Sequence, residues 1–223
     1  MFPNTAWTQI EAAGGDGDSA RNALNSLCES YYPAVRDFIS RRVPNDSDAE
    51  NLTHEFFKRV LETKTVFAKA ERGGGKFRGF LSQRLKWFLG ERLKPDKHSR
   101  TVPLDETQVS SEMLGETEQR EFSRDWAIHS ITLSVKHLEQ RYQSAQNSRR
   151  IQVLRLFRDG KGATQIATVL NISLDTAKNE VRAVKRDSRE CLQEIVRGTV
   201  SNDLLAADEM ETLRELVESS DQR

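Results

Sequence analysis

Residues Ala163 to Lys185, ATQIATVLNISLDTAKNEVRAVK, restrict the fold more than any other stretch of the chain. Ile166, Ala167 and Leu170 recur at helical spacing. Asn171 then stands where a tight turn needs a left-handed residue, a conformation Asn adopts more readily than most side chains. Ser173 or Asp175 is placed to cap a second helix, whose Leu174, Ala177, Val181 and Val184 form one apolar face at three- and four-residue intervals. Ala167 is small enough to let two helices cross closely, and Ile172 fills the space beneath the turn. The spacing fits a helix-turn-helix.

The other face of the second helix is polar and basic. Between Thr176 and Arg189 it carries Lys178, Arg182, Lys185, Arg186 and Arg189 against Glu180 and Asp187, a local net charge of +3. An ordinary helical hairpin with a solvated charged face has the same outline, but this charge suits a phosphate-rich partner. In helix-turn-helix docking, early residues of the second helix meet base edges while later cations and the first helix's N-terminus hold phosphates. The expected DNA contacts are therefore Thr176, Lys178, Asn179 and Arg182, joined by Lys185 and Arg186.

The whole chain has 223 residues, 36% hydrophobic and 30% charged, and a formal net charge of zero. A blanket electrostatic affinity for nucleic acid is excluded, so binding must come from local patches. Such patches exist: Ala68 to Arg100 has a net charge of +7, Thr101 to Asp125 of −5, and Glu190 to Arg223 of −6. Cys28 and Cys191 are too few and too far apart for a disulfide framework. With His54, His98, His129 and His137 they make no metal-ligand spacing, so neither metal nor cofactor is expected. No apolar run is long enough to span a bilayer and no basic-then-apolar leader is present, so the expected location is the cytoplasm, without membrane association.

The apolar pattern predicts an all-α chain of two small helical domains joined by a flexible acidic linker. In the first domain, residues 1–100, a helix over Ala20 to Val43 is interrupted or kinked by Pro33. A second follows from a cap at Asp46 or Ser47 to about Glu62, with Ala49, Leu52, Phe56, Val60 and Leu61 inward. A third covers Lys76 to Lys94, with Phe77, Phe80, Leu81, Leu85, Phe88 and Leu89 inward. Residues 101–122 read as the linker and 123–198 as the helix-turn-helix domain, in which Ile128 and Phe157 belong to apolar helix faces. Residues 199–223 read as an acidic extension with a short helix built on Leu204, Leu205, Met210, Leu213, Leu216 and Val217.

Asp48 to Leu61, DAENLTHEFFKRVL, and Lys76 to Leu93, KFRGFLSQRLKWFLGERL, resemble region 2 of bacterial RNA polymerase sigma factors of the extracytoplasmic-function group. The first segment departs from the family pattern at Asn51 (usually Asp) and His54 (usually Gln). In the second, Phe77-Arg78-Gly79-Phe80-Leu81 replaces the usual Phe-Arg-x-Trp-Leu, and Lys86-Trp87 replaces Arg-Asn. Trp7, Leu27-Cys28, Tyr31-Tyr32, Arg41-Arg42, Phe56-Phe57 and Trp126-Ala127 are similar to a planctomycete-type subgroup. Glu194-Ile195, Thr199-Val200 and Glu209-Met210 extend that similarity. The resemblance covers region 2 at about 20–100 and region 4 at about 125–196.

The resemblance implies a dissociable specificity subunit. Region 2 would dock on RNA polymerase core through Asp48, Glu50, Leu52, Glu55 and Phe56, and would open the minus-ten element of promoter DNA. Region 4 would read the minus-thirty-five element, and an anti-sigma factor is a possible partner. Opening a duplex without ATP requires capture of unstacked bases on aromatics flanked by cations. Trp87 is the candidate platform, with Arg78, Arg84, Lys86, Arg92 and Lys94 as phosphate contacts. Phe80 and Phe88 are expected in the core.

An enzyme is not expected. Gly73-Gly74-Gly75-Lys76 lacks the first glycine, the hydroxyl and the preceding strand of a phosphate-binding loop, and no paired carboxylates or nucleophile arrangement appears. The closer rival is a helix-turn-helix transcriptional regulator whose N-terminal domain senses a ligand or dimerises. The acidic extension either completes a domain or covers the basic helix at 176–189 in the free protein.

Overall fold

The computed structural model describes residues 18–62, 76–93 and 116–218, and these are all-helical. Eight helices lie among the described residues: α1 (Asp18–Ser40), α2 (Asp46–Glu62), α3 (Phe77–Arg92), α4 (Glu116–Ser144), α5 (Ser148–Arg158), α6 (Ala163–Leu170), α7 (Leu174–Arg197) and α8 (Asp203–Glu218). Trp7, the Gly73–Gly75 loop, Lys94 and the linker as far as residue 115 lie outside the described residues. None of the described helices is long and apolar enough to cross a membrane.

The chain divides into two compact units, residues 1–129 with 197–223, and residues 130–196. These boundaries differ from the expected ones in two places. The expected linker, 101–122, ends in helix: α4 starts at Glu116, and Phe122 is buried edge-on to Phe38 at 5.8 Å. The acidic extension belongs to the first unit, where Asp208 and Glu209 pair with Lys76.

In the first unit α1 contributes Tyr31, Ala34, Val35, Phe38 and Ile39 to the core, and Pro33 sits inside the helix without ending it. Asn45 caps α2, accepting from the Asp48 N–H at 2.8 Å, in place of the expected Asp46 or Ser47. Phe56, Phe57 and Val60 are buried, whereas Leu61 is 42% exposed near the helix end. Lys76 is extended and bridges antiparallel to Val200, and the Phe77 N–H donates to the Thr199 carbonyl at 3.0 Å. This pairing anchors the entry to α3 against the entry to α8.

The buried face of α8 is Ala206, Glu209, Leu213 and Leu216, so Leu204 (84% exposed) and Val217 fall outside it. Glu209 is fully buried. Both its oxygens accept from Arg78, Oε2 from Nε at 2.7 Å and Oε1 from Nη2 at 2.8 Å, while Lys76 approaches Oε1 at 3.0 Å. The Arg78 guanidinium also donates to Ser123 and lies 5.1 Å from the Trp126 ring centroid, and Trp126 stacks on Tyr31. One carboxylate thus joins α8 to α1, α3 and α4. Burial opposes its ionisation, but the Arg78 bonds and the Lys76 charge outweigh burial and hold Glu209 below its ordinary 4.5.

Removing one partner of a buried ion pair leaves an uncompensated charge, so Glu209→Ala is expected to cost about 3 kcal/mol in urea unfolding of the full chain. With its folded pKa depressed, Glu209 contributes its stabilisation fully above the unfolded value near 4.5 and loses it as pH falls through the folded value. Glu209→Gln should flatten the pH dependence of stability in that acid window, as measured by urea midpoints across pH.

Candidate nucleic-acid interface

The second unit is built around Leu138, Tyr142, Val153, Leu154, Ile166, Ala167, Ala177, Val184 and Cys191, with Leu170, Ile172 and Val181 packed against them. Three of its helices end in the same way. At the end of α4, Gln146 has φ 52°, its N–H donates to Gln143, and the Asn147 N–H donates to Tyr142. At the end of α5, Gly160 has φ 79°, its N–H donates to Phe157, and the Lys161 N–H donates to Leu156. At the end of α6, Asn171 has φ 51° and ψ 50°, its N–H donates to Thr168 at 3.3 Å, and the Ile172 N–H donates to Ala167 at 3.0 Å. Each is a Schellman turn, in which one left-handed residue satisfies the last helical carbonyls.

Asn171 occupies the left-handed position anticipated for it. Gly160, just past the apolar face of α5, is a common helix-stop residue, whereas Gln is a rare left-handed residue and Gln146 carries no comparable signal. After the third turn Ser173 starts α7, its Oγ accepting from the Thr176 N–H at 3.1 Å. The Thr176 hydroxyl is 2.8 Å from the same Oγ, so Thr176, half-buried, also takes part in the cap. Leu174, expected inward, is 41% exposed because it falls at the first position of the helix, beyond the reach of the core below.

The remaining expected contacts share one exposed face. Lys178, Asn179, Arg182, Lys185 and Arg186 are exposed at three- and four-residue steps, opposite the buried Ala177, Val184 and Cys191. The Lys185 ammonium lies 5.2 Å from the centroid of the half-open Phe157 ring, and Arg186 forks onto Asp187 Oδ1 at 2.9 and 3.1 Å. Sequence reasoning overlooked Arg150 of α5, which donates to Glu180 at 3.1 Å and Asp187 at 3.0 Å, the two acids of this stretch of α7. Burial works against Asp187, but the Tyr142 hydroxyl and Arg186 bonds and the Arg150 charge bring it below its ordinary range.

The first unit redistributes the residues expected there. Arg78 is committed to Glu209 in the interior, so it is not the phosphate contact expected for it. Arg92 pairs with Glu55, and Arg59 pairs with Glu55 at 3.0 Å and Glu91 at 2.9 Å, so both Arg92 and Glu55 are engaged within the unit. Phe56 is buried against Phe57 and Phe88 and acts as core. Phe80 and Phe88 are buried as well.

Two groups of the expected residues stay accessible. On α2, Asp48 and Glu50 are exposed and Leu52 half-buried, with Asp48 accepting from the Asn45 amide at 2.9 Å. On α3, Arg84, Lys86 and Trp87 are half-buried, and the Arg84 guanidinium lies 4.9 Å from the Trp87 ring centroid. A cation held at an aromatic ring that solvent reaches is a suitable surface for a stacked base and its phosphate.

Residues 144–193 match the family model of the homeodomain-like domain, which covers the Schellman turns of α5 and α6 and the basic face of α7. The chain therefore carries a DNA-binding helix-turn-helix. No curated protein and no solved structure matches the chain.

Because nothing lies within 4 Å of a Cβ added at Gly160, Gly160→Ala tests backbone conformation alone and is expected to cost about 1–2 kcal/mol. Asn171→Ala should cost about 1 kcal/mol, while Asn171→Gly should be neutral or stabilising. Urea unfolding of the three variants checks the order.

Proposed function

We propose that this chain is a sigma factor, a dissociable subunit that binds RNA polymerase core and directs promoter recognition and transcription initiation. The observation that carries the reading is the content of the first unit: an acidic helix exposing Asp48 and Glu50, and a neighbouring α3 on which the Arg84 guanidinium lies at the Trp87 ring. Charge with an apolar neighbour suits docking on a partner helix, and a cation–aromatic platform suits unstacked bases. In this reading α2 takes the core enzyme through Asp48, Glu50 and Leu52. α3 holds the opened minus-ten strand, with Trp87 stacked on a base, and α7 reads the minus-thirty-five element through Lys178, Asn179 and Arg182. The chain performs no catalysis of its own, works in the cytoplasm beside the polymerase, and is open to control by an anti-sigma partner.

A second reading has one observation in its favour. Among the described residues an apolar groove runs between α1 and α2, lined by Cys28, Tyr32, Pro33, His54, Phe57 and Leu61, with Tyr32 Oη and His54 Nε2 hydrogen-bonded at 3.1 Å. A regulator that senses a ligand has use for such a groove. The two readings separate on what the free chain binds.

Purified bacterial core RNA polymerase should retain the chain in a pull-down and gain promoter-selective run-off transcription from it. Arg84→Gln with Lys86→Gln should weaken promoter-complex formation and lower its salt slope, and Trp87→Ala should reduce open complex about tenfold or more, given about 1–3 kcal/mol per stacked base. Failure to bind a cognate core, together with tight duplex binding by the chain alone, overturns the sigma reading in favour of the regulator.

A further inference from the structure

A helix that meets DNA through its cations is weakened by any acid on it that remains unpaired. Between Thr176 and Arg189 the reading helix contains two acids, Glu180 and Asp187, seven residues apart and therefore on one stripe. Both are half-buried on the flank toward α5, and one residue of α5 engages both. Arg150 donates from Nε to Glu180 Oε2 at 3.1 Å and from Nη1 to Asp187 Oδ2 at 3.0 Å. Tyr142 Oη donates to the same Asp187 Oδ2 at 2.8 Å, which leaves Oδ1 to Arg186. The Arg150 side chain is itself fixed: its backbone N–H donates to Asn147 Oδ1 at 3.2 Å, and its guanidinium lies 5.8 Å from the Tyr142 ring.

We propose that Arg150 is a positioning residue for DNA binding, an internal counter-charge that masks Glu180 and Asp187 so that the cations of the 176–189 stretch of α7 face phosphate without opposition from these two acids. Lys178, Arg182 and Arg189 have no acidic partner among the described residues, and Arg186 shares Asp187 with Arg150. Without Arg150, the full Asp187 carboxylate draws Arg186 away from phosphate, and Glu180 adds an unneutralised negative charge to α7. The inference rests on DNA binding by the 144–193 domain and is independent of the sigma reading.

The test measures binding of the full chain to a fluorescent duplex of about 30 base pairs across a salt series, where sequence-independent phosphate contacts suffice. Arg150→Gln should bind about five- to tenfold more weakly at about 0.05 M salt, the scale of one or two unit charges acting at partly screened distance. The gap should narrow to about twofold near 0.2 M as the Debye length shrinks. Neutralising the masked acids in the same chain, R150Q with E180Q and D187N, should restore affinity to within about twofold of wild type. Because that triple variant buries no unpaired charge, it tests the mask even if R150Q alone unfolds.

A deficit of equal size at every salt concentration, or one the triple variant fails to restore, marks a packing role and overturns the inference. Wild-type binding unaffected by R150Q overturns it too and leaves the DNA-binding domain standing. Absence of wild-type binding at every salt concentration overturns the inference for the free chain.

Discussion

The first unit depends on the Glu209 carboxylate. A charge with no solvent exposure survives only if hydrogen bonds and opposite charge replace its lost hydration, and Arg78 and Lys76 supply both. The consequences spread from that requirement. Arg78 cannot serve the surface, Lys76 is drawn into an extended bridge with Val200, and Trp126 and Tyr31 stack beside the guanidinium. A C-terminal segment that reads as an acidic appendage is thereby a structural member of the N-terminal unit.

The second unit solves a different problem, turning the chain three times in fewer than thirty residues without leaving helical carbonyls unpaired. It uses one device repeatedly: a single left-handed residue at Gln146, Gly160 and Asn171, each closing two hydrogen bonds. Rigid turns matter here because base readout needs α7 held at a fixed angle to α6, with Ala167 and Ala177 permitting the close approach. The Ser173 cap then engages the Thr176 hydroxyl in local structure, and Lys178, Asn179 and Arg182 stand exposed on the helix beyond it.

Ion pairing sorts the charges of both units into internal and external sets. Arg78, Arg92 and Arg150 neutralise acids within the fold, while Lys178, Arg182 and Lys185 face outward. Counting charge along the chain gives the 176–189 stretch +3, but its two acids are half-buried against α5, so the face offered to a ligand is more basic than that count. The same sorting leaves α2 its exposed Asp48 and Glu50 but engages Glu55.

Local pattern was enough for most of the helices, the left-handed Asn171, the apolar faces of α1 and α3, that of α7 beyond Leu174, and the burial of Phe80 and Phe88, because helical spacing and turn preference are set by neighbours in sequence. Tertiary structure decided what depends on distant partners. The place of α8 could not be read because its central buried residue is a glutamate, which any hydropathy pattern assigns to the surface until Arg78 is brought to it. The roles of Arg78 and Glu55 changed for the same reason, and Arg150 stayed invisible because its two acids lie thirty and thirty-seven residues away. Short-range periodicity determines which segments are helical; charge partners and helix ends, fixed only on packing, determine which of their side chains remain available to a ligand.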